Sequence, residues 1–205
     1  MTDRSDSSRH THSTHGSYAA FSAPEELAKR FDAPDRDDWQ KPEQVIDHFG
    51  LAPNSTVLEL GSGTGYFSVR VAKRLSQGKL ICLDDEPKMV EYLRERSHSA
   101  GLKNLDARPV WRNDVINLSE EIDLLFSVDV YHHLRDRVGF FAALASGLKP
   151  EGRLVVIDRH EDSAKPGIVR AAPATVIQEM QDIGFSLIEN LDFLPYQYFL
   201  IFKRS

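Results

Sequence analysis

The chain has 205 residues, 41% hydrophobic and 27% charged, with a formal net charge of −6 and a pI near 5.7. That length supports one domain with a core large enough to need no covalent staples. The acidic balance disfavours a protein held on nucleic acid by electrostatics, which would carry a basic stripe, and favours a small-molecule partner.

Residues 1–17 are polar and rich in Ser, Thr and His. They predict a disordered tail with neither signal peptide nor membrane anchor, and so a cytoplasmic protein. No run approaches the ~20 apolar residues that a membrane helix needs. His10, His12 and His15 lack the order to fix a metal. Residues 18–52 read as a helical lid or cap. Ala23 to Phe31 and Pro42 to Phe49 are its helices, with Pro24 and Pro42 in first turns and Gly50 at an end. Tyr18, Phe21, Phe31 and Trp39 either wall a substrate mouth or simply cover a sheet.

Residues 53–205 form the main domain. Val57, Leu58 and Leu60 are an apolar run that stops in glycines, and Phe67, Val71 and Leu75 then mark one face of a helix, so the stretch predicts strand, tight loop, helix. Gly61, Gly63 and Gly65 let a ligand rest on bare amides at a helix N-terminus. A dinucleotide loop would place its third glycine where Tyr66 stands. Glu59, two residues ahead of the first glycine, is a carboxyl in a strand expected to be buried, and it must be compensated. The next strand, Lys79 to Leu83, holds the lone cysteine, Cys82, as a small buried hydrophobe. It ends at Asp84, close to the ~20 residues past the glycines expected of an acid that grips a ribose.

A helix from Pro87 with Met89, Val90 and Leu93 inward closes at Gly101, and Leu105 to Trp111 is a weak third strand. The fourth strand, Ile122 to Val128, runs into Asp129-Val-Tyr-His-His-Leu134, at the end of a central strand where open α/β sheets bind ligands. Phe140, Phe141, Leu144 and Leu148 give an amphipathic helix, Lys149 to Gly152 a turn, and Arg153 to Ile157 a buried strand. Thr175 to Ile183 is a helix, and Phe185 to Leu191 with Tyr196 to Lys203 a closing pair of strands. The fold class is therefore α/β: one three-layer, doubly wound, mostly parallel sheet ending in an antiparallel hairpin.

The pattern Glu-x-Gly-x-Gly-x-Gly over 59–65 resembles motif I of class I S-adenosylmethionine-dependent methyltransferases. Residues 24–205 as a whole resemble the small bacterial ubiquinone/menaquinone-biosynthesis-like (type 11) group. The likeness rests on Trp39 to Pro42, Val57 to Phe67, Asp84, Pro87, Met89, Asp129 to Leu134, Leu148 to Leu154 and Phe193 to Tyr198. It implies S-adenosylmethionine as cofactor. Glu59, Gly61, Ser62, Gly63, Thr64 and Gly65 would take its methionine end, Asp114 its adenine amine, and Asp129 would approach its ammonium.

Methyl transfer needs an oriented acceptor and, where that acceptor carries a proton, a base. His132, Tyr131 and His133 stand where such a group would sit, with His132 ranked first; helix-start packing is the competing role. Asp129 and Asp158 resemble the carboxylate pair of metal-dependent catechol-type enzymes, but Arg159 follows Asp158 and would repel a divalent ion. The Asn/Asp-Pro-Pro-Tyr/Phe tetrad of nucleic-acid amino-methyltransferases is not present. The reading is a methyltransferase with a small-molecule acceptor; the rivals are a non-catalytic adenosylmethionine-binding protein and a nicotinamide oxidoreductase.

Overall fold

The computed structural model describes residues 23–110, 120–160 and 170–205. Asp114, Trp111, Tyr18, Phe21 and the three tail histidines lie outside the described residues.

Three short helices come first: α1 (Pro24–Phe31), α2 (Arg36–Gln40) and α3 (Pro42–Phe49). Two of the three open on proline at the first helical position, where no amide hydrogen is missed. The remaining elements alternate: β1 (Thr56–Leu60), α4 (Ser68–Arg74), β2 (Lys79–Asp84), α5 (Pro87–Ser99), β3 (Leu105–Pro109), β4 (Ile122–Val128), a 3₁₀ turn (Tyr131–His133), α6 (Arg137–Ala145), β5 (Leu148–Arg159), α7 (Pro173–Asp182), β6 (Phe185–Leu191) and β7 (Gln197–Arg204).

The seven strands form one sheet in the order β3-β2-β1-β4-β5-β7-β6. The first five are mutually parallel, and β7 runs antiparallel between β5 and β6. Strand order reverses between β1 and β4, so their carboxyl ends open the crevice in which doubly wound folds bind ligands. Side-chain alternation builds the layers. Val57, Cys82, Phe126 and Val155 face a core completed by Val45, Phe49, Val71 and Leu93 from α3, α4 and α5. Leu58, Ile81, Leu125 and Leu154 face the other, completed by Phe141, Leu144, Val176 and Met180 from α6 and α7.

The expected order of elements matches the structure, with three differences. The segment between α1 and α3, read as connector, contains α2. Lys149 to Gly152, expected as a turn, is the opening of β5: Ile122 pairs with Leu148 and Leu124 with Arg153, and the register shift between them absorbs the extra residues as an irregularity rather than a break. The helix expected from Phe140 onward starts earlier, because the Asp136 side chain accepts from the Gly139 amide and caps it. Among the described residues no helix is long and apolar enough to cross a membrane.

Candidate active site

The loop after β1 is fastened from below. The amides of Gly61 and Ser62 donate to the Leu83 carbonyl at 2.7 and 3.3 Å, and the amide of Gly63 donates to Asp84 Oδ2 at 2.7 Å. The other oxygen of Asp84 accepts from the Glu86 amide at 3.0 Å. Burial pushes the Asp84 carboxyl up to about 6, against the pull of those two amides. Gly61 is held at φ +73°, and a Cβ there would meet Val130 Cγ2 at 2.2 Å, so the chain after β4 packs directly on the loop. Gly63, at φ +51°, is the opposite case: a Cβ would meet nothing within 4 Å. Its bare backbone faces open space. Beside it the hydroxyls of Ser62 and Thr64 are enclosed without a hydrogen-bond partner among the described residues. Enclosed polar atoms are almost always satisfied in folded proteins, so these two fit a polar ligand laid against the loop.

Glu59 sits on β1 toward the α4 layer. Its Oε2 accepts from Ser68 Oγ at 2.5 Å and lies 3.7 Å from Cys82 Sγ, with no cation paired to it among the described residues. Burial among apolar neighbours raises its carboxyl to about 8 and holds the Cys82 thiol up as well. The site therefore holds a carboxyl that keeps its proton until a cation is brought to it.

At the end of β4 the backbone turns sharply: Asp129 takes φ +58°, unusual for a residue with a side chain. Its Oδ1 accepts from Gln197 Nε2 at 2.9 Å and stands 3.6 Å from Arg159 Nε. Gln197 in turn accepts from Gln40 Nε2 at 3.0 Å, and Gln40 accepts from Arg36 Nε at 2.5 Å. Arg36 also lies over the Tyr66 ring, 3.8 Å from its centroid, with Arg70 on the same ring at 4.2 Å. A continuous polar chain thus runs from α2 to the turn beyond β4. Burial raises the Asp129 carboxyl, partly offset by Arg159.

Next along the turn, His132 is nearly enclosed and paired with Asp158 at the end of β5. Its Nδ1 lies 2.8 and 2.9 Å from the two Asp158 oxygens, and its backbone amide donates to Oδ2 at 2.9 Å. Because a carboxylate only accepts, Nδ1 carries the hydrogen, and Nε2 presents its lone pair with Arg170 Nη1 3.3 Å away. The neighbouring His133 ring is 4.0 Å away, and its burial and the nearness of His132 lower it to about 4. Tyr131 points the other way. It is fully buried against Phe141, and its hydroxyl donates to Glu179, itself held by Arg137.

Comparison with known proteins reads this geometry in one direction. The family described as methyltransferase domain matches residues 51–188, more than half of the chain. The chain belongs to the methyltransferase family. Its relatives include a tRNA U34 carboxymethyltransferase of Cellvibrio japonicus, 29% identical over 122 residues, and malonyl-[acyl-carrier protein] O-methyltransferase 1 of Ilyobacter polytropus, 32% identical over 105. Those matches cover 59% and 51% of this chain but 37% and 38% of the relatives, so the chain spans less than two fifths of their length. Among solved structures, a SAM-dependent methyltransferase from Aquifex aeolicus superposes with a TM-score of 0.79 at 26% identity, over 87% of this chain and 97% of that one. Fold and family agree on a methyltransferase domain.

Within the methyltransferase, the structure brings Glu59, the 61–65 loop, Asp84, Asp129 and His132 to the carboxyl ends of β1, β2 and β4. It directs Tyr131 into the layer of α6 and α7. Four residues of the site were not singled out for the parts they play: Asp158 as partner of His132, Gln197 and Arg36 in the polar chain, and Arg170 beside the imidazole. Asp158 was legible as a strand-end acid; that it faces His132 follows from the pairing of β4 with β5, which the sequence does not display.

Proposed function

We propose that this methyltransferase acts on a small-molecule acceptor, with His132 as the group that takes the acceptor's proton and Asp158 as its positioning residue. The observation that carries this is the buried Asp158–His132 pair, which fixes the imidazole tautomer at the end of β4 beside the glycine loop. Adenosylmethionine, when bound, supplies an electrophilic methyl group. Everything else falls to this chain. Gly61, Ser62, Gly63, Thr64 and Gly65 receive the methionine end through amides and hydroxyls, and Glu59 receives its ammonium. Asp84, with each oxygen anchored by one amide and lone pairs to spare, accepts from the ribose hydroxyls. Asp129 lines the mouth between them, and the polar chain from Arg36 holds residues 36–40 over that mouth as part of a cap. His132 Nε2 orients and deprotonates the acceptor. The acidic net charge favours a small acceptor over the nucleic acid named for one relative.

The test is direct. Calorimetry with adenosylmethionine tests the loop, and release of adenosylhomocysteine on incubation with fractionated metabolites tests the chemistry. His132→Ala is expected to lose release while keeping cofactor affinity. Wild-type protein that binds no adenosylmethionine, or a His132 variant of full activity, refutes the reading.

A further inference from the structure

Arg170 stands shortly ahead of α7 with its side chain 7% exposed. Its Nη1 lies 3.2 Å from Nδ1 and 3.3 Å from Nε2 of His132, and 3.6 Å from Asp158 Oδ1. Its Nε is enclosed and has no hydrogen-bond partner among the described residues. A guanidinium keeps its charge inside a protein, and taking that charge out of water is costly unless hydrogen bonds to a counter-charge replace what is lost. Asp158 does not meet the need. Its oxygens already receive the His132 ring, the His132 amide and the Arg159 amide, and 3.6 Å is longer than a hydrogen bond. The imidazole offers Arg170 no negative charge. What remains, among the described residues, is a buried cation beside the base whose Nε edge lacks a hydrogen-bond partner at Nε.

That edge is the side of the fork on which a guanidinium meets two carboxylate oxygens at once. We infer that Arg170 receives a carboxylate carried by the methyl acceptor, so that the acceptor is a small organic acid and Arg170 a specificity residue. The inference rests on the reading of His132 as the acceptor-side base. A carboxylate seated on the Nε edge completes the hydrogen bonding of Arg170, balances its charge and brings the rest of the acceptor alongside Nε2 of His132.

The experiment titrates protein saturated with adenosylhomocysteine, by calorimetry, with benzoate, malonate, inorganic phosphate and the neutral benzamide. A carboxylate is expected to bind where benzamide does not, and to shift the His132 ring resonances. Arg170→Gln is expected to weaken that binding about tenfold or more, and Arg170→Lys, which keeps the charge without the fork, to restore part of it. Three results overturn the assignment: no carboxylate binding up to about 50 mM, benzamide binding as well as benzoate, or equal benzoate affinity in Arg170→Gln. Binding of phosphate alone overturns it too. Should Arg170→Gln fail to fold, the benzoate and benzamide comparison on wild-type protein still decides. Adenosylhomocysteine affinity separates the two levels: its absence in wild type sinks the methyltransferase reading, whereas its presence without carboxylate binding sinks only the role of Arg170.

Discussion

The carboxyl of Glu59 gives the cofactor assignment a signature that needs no acceptor. Held up to about 8 by burial, it is protonated in the free protein at neutral pH. If the ammonium of adenosylmethionine settles against it, the bound state favours the carboxylate, and binding must expel a proton. From the titration equation, a group at about 8 is roughly 90% protonated at about pH 7, so about 0.9 proton leaves per ligand. Calorimetry between about pH 6 and about pH 7.5, in buffers of different ionisation enthalpy, reads this number and expects an affinity that rises with pH. Glu59→Gln keeps a partner for Ser68 but has no charge to offer. It is expected to abolish the proton release assigned to Glu59 and weaken binding by about 1.5–3 kcal/mol, the range for a hydrogen bond to a charged group. The same substitution isolates any contribution from Asp84, which titrates near 6. Stability supplies a second reading. The folded chain holds this proton up to about 8, the unfolded chain releases it near 4.5, so the folded state binds more protons in between and stability falls as pH rises across that window. Over the whole window the loss is on the order of 5 kcal/mol, and Glu59→Gln should flatten it. Heats of binding that do not vary with buffer, or a Glu59→Gln protein indistinguishable from wild type, would refute the placement of the ammonium at Glu59.

Asp158→Asn leaves the shape of the pair but removes the acceptor that fixes Nδ1–H. Turnover is expected to drop by about 10²–10⁴-fold with cofactor affinity unchanged, and a smaller loss in single-turnover rate would count against His132 as base. Tyr131→Phe removes only the hydroxyl bound to Glu179. It should cost about 1 kcal/mol in denaturant unfolding and leave turnover intact, whereas a large fall in rate would return Tyr131 to the chemistry. Gln197→Leu strands the Asp129 carboxyl and the Gln40 amide. We expect a loss of about 2–4 kcal/mol and faster amide exchange in residues 36–40, and unchanged exchange there would show that the polar chain does not hold the cap.

The glycine loop and the central strands were legible because local chemistry dictates them. Gly61 needs a positive φ, and Val57 to Leu60 has too few polar positions to be anything but a strand covered on both faces. The helix α2 was not legible. Arg36-Asp-Asp-Trp-Gln40 has no apolar periodicity, and what stabilises it is distant: Asp37 receives the Tyr66 hydroxyl at 2.5 Å and both oxygens pair with Arg70, while Gln40 pairs with Gln197. The acids proposed for the cofactor could be numbered from spacing along the chain. The partners of His132 could not, since Asp158 and Arg170 reach it from separate segments and only the assembled sheet brings them together.

The two ends of the sheet differ in a way that bears on function. At the amino ends of the parallel strands, charges are matched: Lys79 with Asp106 and Glu120, Lys149 with Asp123, and Lys203 with Glu151. At the carboxyl ends, pairs such as Asp129 with Arg159 and Asp158 with His132 stand beside unmet groups. Glu59, Asp84 and Asp129 are all raised by burial, and the enclosed hydroxyls of Ser62, Thr64 and Tyr198 and the Nε of Arg170 have no hydrogen-bond partner among the described residues. A chain selected for stability alone would fill or pair such groups, because each unmet polar atom costs on the order of 1–3 kcal/mol. Their concentration around one crevice is what a ligand carrying ammonium, hydroxyl and carboxylate groups would relieve. Stability withheld from the free protein becomes affinity and specificity when those groups arrive.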